Sequence, residues 1–103
     1  MTSLPTVDTS VILHALAEDN RAAIVKLLVD RQLAVKDLVG LTGLSQPLVS
    51  HHLKVLREAG IVESTTCSTK TFYRLRADTL AELATRLSAM AERAAVTSSA
   101  DCC

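Results

Sequence analysis

The stretch Leu44-Ser45-Gln46-Pro47-Leu48-Val49-Ser50-His51-His52-Leu53-Lys54-Val55-Leu56-Arg57-Glu58-Ala59-Gly60-Ile61-Val62 holds the start, body and stop of one helix in order. Ser45 is a good N-cap, and Pro47 falls in the first turn, where a missing N–H costs nothing, so a helix is predicted from about Gln46 to Ala59, ended by Gly60. At helical spacing Val49, Leu53 and Leu56 make an apolar stripe. Gln46, Ser50, Lys54 and Arg57 lie along the opposite face, with Pro47 and His51 beside them.

Just upstream, Val35 to Leu41 reads as a shorter helix closed by Gly43, a residue that supplies positive φ without steric cost. Two helices joined by a tight Gly-containing turn are a helix-turn-helix. Downstream, Ile61 to Thr65 and Thr71 to Leu75 are β-branched or aromatic runs separated by the polar Thr66–Lys70, which predicts a hairpin. Further out, a helix is expected over about Thr9 to Ala17 and another after the Glu18-Asp19-Asn20 caps, reaching about Arg31. Asp78 or Thr79 caps a last helix, in which Leu80, Leu83, Ala84 and Leu87 recur at three-to-four spacing. The fold class is therefore mostly α with a small β-hairpin: a winged helix-turn-helix of about five helices plus a two-stranded wing.

Composition fits that palette. Hydrophobic residues make up 49% of the 103, but aromatic residues only 2%, so the core is built from Leu, Val, Ile and Ala. Residues 1–8 are expected to be a flexible lead-in, 9–95 one domain, and 96–103 a flexible Cys-containing tail. The terminal helices both carry apolar stripes wider than a small core needs, which predicts a homodimer joined through the first and last helices. No apolar run approaches the roughly 18 to 20 residues of a membrane span, and no signal-peptide pattern opens the chain, so the expected location is the cytoplasm.

Formal net charge is zero, yet it is unevenly spread. Between Gln46 and Arg76, Lys54, Arg57, Lys70, Arg74 and Arg76 face only Glu58 and Glu63, a local +3 that leaves −3 elsewhere. Such segregation suits one face that meets phosphate. Gln46, Pro47, Ser50 and His51 at the helix start are placed to reach base edges, Lys54 and Arg57 to reach phosphates, and Lys70 and Arg74 to clamp the backbone from the wing. No Gly-rich phosphate loop, paired catalytic carboxylates or Cys beside a His is found in the predicted elements, which argues against an enzyme.

The stretch from Leu44 to Val62 closely resembles the ArsR/SmtB family of bacterial repressors, as do Leu16-Ala17-Glu18-Asp19-Asn20-Arg21 upstream and Phe72-Tyr73-Arg74-Leu75 downstream, so that roughly residues 10 to 95 are covered. The resemblance implies a homodimeric repressor on an inverted-repeat operator, released by an inducer that in many relatives is a metal or metalloid. This chain departs from the usual sites. Ala34 and Lys36 stand where the family's thiolate site has cysteines, and Asp78 to Ala95 contains no His for the zinc-type site.

Cys67, Cys102 and Cys103 are then the only soft donors, suited to As(III) or Cd(II) or else simply unligated thiols. His14 is either a surface histidine or a member of an intersubunit nitrogen and oxygen site for nickel or zinc, with a carboxylate such as Glu92. The adjacent His51 and His52 point about 100° apart and cannot easily share an ion, so operator contact or helix packing is expected of them. A repressor without its own effector site, regulated through a partner protein, is the alternative reading.

Overall fold

The computed structural model describes residues 8–98. Five helices and three strands follow in the order α1 (Thr9–Leu16), α2 (Asp19–Leu28), β1 (Leu33–Ala34), α3 (Val35–Thr42), α4 (Gln46–Glu58), β2 (Val62–Cys67), β3 (Lys70–Leu75) and α5 (Ala77–Ser98).

Local chemistry sets most boundaries. Asp8 caps α1 by accepting from the Ser10 N–H at 3.3 Å, and Glu18 caps α2 by accepting from the Arg21 N–H at 2.9 Å. Ala34 cannot cap α3 with its own side chain, but the Asp37 carboxylate reaches back to the Ala34 N–H at 3.0 Å. Gly43 closes α3 at φ 77° and donates to Val39 O. Ser45 caps α4 through the Leu48 N–H, with Pro47 in the first turn as expected. At the far end the Gly60 N–H donates to Arg57 O and the Ile61 N–H to Leu56 O at 2.9 Å. Those two bonds, with φ 77° at Gly60, make a Schellman stop, and its usual hydrophobic contact is supplied by the fully buried Ile61.

The strands form one antiparallel sheet in the order β1-β3-β2. The expected hairpin is present and gains a third strand, β1, whose Leu33 pairs with Tyr73 and Ala34 with Phe72. A two-residue strand has no periodicity to betray it in sequence. The expected Thr66–Lys70 loop shrinks to Ser68 and Thr69, because Thr66 pairs with Thr71 and Cys67 with Lys70. Ser68 adopts φ 60°, the positive value that two-residue hairpin turns demand.

Three other boundaries differ from expectation. α2 ends at Leu28, short of Arg31. α5 begins at Ala77, so Asp78 lies in its first turn and ion-pairs with Arg76 at 2.7 Å. α5 also continues to Ser98, making residues 96–98 of the expected tail helical; the remainder of that tail and residues 1–7 of the expected lead-in lie outside the described residues.

The core is one cluster built on Ile24, Leu38, Val49, Leu53, Leu56, Ile61 and Val62, to which α1 contributes Ile12 and Ala15 and α5 only Leu83. α5 is tied in by its start, where the Thr79 hydroxyl donates to Gly60 O, and by Arg86, which bonds Thr9 and Glu82. Beyond Arg86, residues 87–96 are all exposed. The radius of gyration is 16.8 Å, against the roughly 13 Å of a compact domain this size.

Candidate nucleic-acid interface

The site is a consequence of how α4 is buried. Val49, Leu53 and Leu56 are at most 1% exposed, so the helix can present only its other side. Gln46, Pro47, Ser50, His51, Lys54 and Arg57 are all exposed on that side. No acidic residue sits in the first turn of α4 to repel a phosphate. Polar side chains of medium length at the start of a helix, with two cations further along, suit base edges first and backbone second.

The wing supplies a second element. Lys70 opens β3 directly beside the turn and is exposed, as is Arg74 four residues on. These two differ. Glu63 stands opposite Arg74 across β2 and β3, and the Arg74 Nε donates to its carboxylate at 2.7 Å. Arg76 is likewise engaged with Asp78 through two hydrogen bonds, and the guanidinium holds the Asp78 carboxyl below the ordinary carboxylate range. Among the described residues no carboxylate pairs with Lys54, Arg57 or Lys70, so these three are the cations the interface offers unneutralised. A two-residue turn would have revealed the Glu63–Arg74 pairing in the sequence; the longer expected loop hid it.

His51 and His52 separate cleanly. His51 is exposed with the reading face, whereas His52 is 5% exposed and turned into the protein. There the Arg21 Nη1 donates to His52 Nδ1 at 3.3 Å, the Arg21 Nε donates to Ala15 O at 2.7 Å, and Glu18 Oε1 lies 3.9 Å from His52 Nε2. Burial is the main cause that pushes the His52 pKa below 6.5; Arg21 and His51 add to this, while Glu18 acts against it. This buried set was not foreseen. Its one signal was a charged residue, Arg21, on the stripe that Ile24 and Leu28 continue.

The donors expected for a metal do not assemble among the described residues, where no three His, Cys, Asp or Glu side chains could hold an ion together. Cys67 stands alone and exposed on the wing. His14 is exposed on α1 and lines a groove with Val11, Val55 and Glu58, without Glu92. Cys102 and Cys103 lie outside the described residues. No helix of the described residues is long and apolar enough to cross a membrane.

Comparison with known proteins places these features in context. Residues 18–64, from the cap of α2 into β2, match the family described as "Bacterial regulatory protein, arsR family". Over 72 residues the chain is 42% identical to the HTH-type transcriptional repressor SmtB of Mycobacterium tuberculosis, an alignment taking in 70% of this chain but only 53% of SmtB. It is also 42% identical over 74 residues to the HTH-type transcriptional regulator Rv2034 of the same species, covering 72% of this chain and 69% of Rv2034. Among solved structures, the homodimeric winged helix-turn-helix DNA-binding domain (fragment 1–100) of Mb0332 from Mycobacterium bovis superposes with a TM-score of 0.67 at 27% identity, covering 82% of this chain and 79% of that one.

Proposed function

The chain belongs to the ArsR family of bacterial transcriptional regulators, which are not enzymes, and from that premise we propose that it is a repressor that binds an inverted-repeat operator as a homodimer. The observation that carries this reading is the division of α4 into a fully buried stripe and an exposed face of Gln46, Pro47, Ser50, His51, Lys54 and Arg57. Gln46, Ser50 and His51 read bases in the major groove. Lys54, Arg57 and Lys70 bind phosphates, and Arg74 joins them once it leaves Glu63.

The dimer forms through α1 and α5. Val11 and Leu13 are 46% and 43% exposed on α1, and Leu87 and Met90 are 43% and 57% exposed on α5, an apolar surface that a second copy covers. The homodimeric state of the Mb0332 domain supports dimerisation itself.

Operator binding is tested by fluorescence anisotropy with K54A and K70A beside wild type at low salt. Each variant is expected to lose affinity on specific and random duplexes alike, and wild-type affinity in both would overturn the reading. The signal is assigned by titrating the reduced, operator-bound protein with As(III), Cd(II), Ni(II) and Zn(II), and repeating this with Cys102→Ser and Cys103→Ser. Release that vanishes with the cysteines places a thiolate site in the tail; release by no ion would sink metal sensing and leave the reading in which the repressor has no effector site of its own.

A further inference from the structure

Three helices meet at one guanidinium. Arg21 stands on α2, its Nε donates to Ala15 O in the last turn of α1, and its Nη1 donates to His52 Nδ1 in the middle of α4. Arg21, Ala15 and His52 are all buried. α4 is otherwise seated in the core by the buried apolar side chains of Val49, Leu53 and Leu56, and Glu18 at the cap of α2 lies 3.9 Å from His52 Nε2. Apolar contact rewards area removed from water and is indifferent to direction, so a helix held by such a stripe can rotate a little at small cost. A hydrogen bond in a low-dielectric interior is directional, and leaving its buried partners unmade is expensive.

Resting on the proposed operator-binding function, we infer that Arg21 is a positioning residue: through His52 it fixes the angle of the reading helix α4 against the seam helix α1, and thereby the separation of the two reading helices in the dimer. The lever is long enough to matter. From His52 to Gln46 is about 9 Å along the helix axis, so a 10° swing moves Gln46 by roughly 1.6 Å. That exceeds the window of about 0.5 Å within which a hydrogen bond to a base edge keeps its strength.

The bond also assigns the imidazole tautomer. Because Nδ1 accepts from Arg21, the proton is on Nε2, which is buried without a hydrogen-bond partner and faces Glu18 at 3.9 Å. Arg21 therefore has a receiving group with one defined acceptor. Asparagine can imitate that acceptor with its Oδ1, and leucine cannot.

The test uses the full chain and an operator selected with the wild-type protein, prepared with half-site spacings of −1, 0, +1 and +2 base pairs. Wild type, H52L, H52N and R21K are compared at 10 °C, with dimerisation followed by sedimentation and binding by anisotropy. H52L and R21K are expected to stay dimeric and to bind a random duplex within about twofold of wild type. On the operator they should lose about tenfold and bind the four spacings almost equally, while H52N keeps both affinity and spacing preference. If H52L fails to fold, R21K against H52N gives the same comparison. Retained affinity and spacing preference in R21K or H52L, or failure of H52N like H52L, would overturn the inference, as would wild-type binding with no spacing preference. Wild type that binds no DNA at all is instead the failure of the operator-binding function.

Discussion

His52 shows how one buried ring makes folding stability respond to pH. Its folded pKa lies below the ordinary 6.5, so between 6.5 and that lower value the unfolded chain carries a proton that the folded chain does not. The contribution of the neutral ring to stability is therefore complete above pH 6.5 and is lost as pH falls below it toward the folded value. Urea unfolding across pH 5 to 8 should show a midpoint that declines on the acid side in wild type and declines less in H52N; equal profiles would contradict the assignment. Position 68 offers a second single-residue test. Ser68 occupies φ 60°, which L side chains adopt reluctantly, so Ser68→Gly should raise stability by a few tenths of a kcal/mol to about 1 kcal/mol in thermal unfolding. Each site was legible only in part. His51 was placed beside the exposed face of α4 from its spacing, but not the Arg21 partner of His52, and Ser68 was placed in the hairpin loop, but not at its first turn position, which follows from the pairing of Cys67 with Lys70.

Among the elements, the turn between α3 and α4 and the stop of α4 were the most legible because their signals are local. Ser45, Pro47, Gly43 and Gly60 are each found doing the capping or stopping expected of them, and the stripe of α4 is buried as its spacing predicted. β1 was hidden because two residues carry no pattern and its pairing with β3 is set by the tertiary fold. α3 contains one glycine and is closed by another, and the two have opposite meanings. Gly40 is within the helix and a Cβ there meets nothing within 4 Å, whereas Gly43 is equally open but held at φ 77°. Gly40→Ala should therefore stabilise by about 0.5–1 kcal/mol and Gly43→Ala destabilise by about 1–2 kcal/mol, as read by chemical denaturation. In the wing, Glu63→Gln should release Arg74 to phosphate and tighten binding to any duplex at low salt; unchanged affinity would mean that Arg74 takes no part.

At the scale of the whole molecule, zero net charge and three interface cations without a carboxylate partner among the described residues predict an electrostatic contribution that is moderate rather than dominant. Lys54, Arg57 and Lys70, doubled in a dimer, should give a slope of log affinity against log salt of about −5, steepening to about −7 in Glu63→Gln. The fold and the exposed side of α4 were legible from one chain because both follow from patterns within it. How the proposed repressor is controlled was not, since donors drawn from separate elements have no spacing to betray them, and among the described residues no three converge. The extended protomer, with Leu87 and Met90 of α5 exposed, suits the proposed dimer. The central claim, that two copies of α4 read DNA together, is tested most directly by selecting binding sites from a random duplex library with the wild-type protein. Enrichment of an inverted repeat, its half-sites about 10 base pairs or a multiple apart and its sequence preference relaxed by Ser50→Ala or His51→Ala, is the predicted result. Recovery of no sequence above the random background would contradict it.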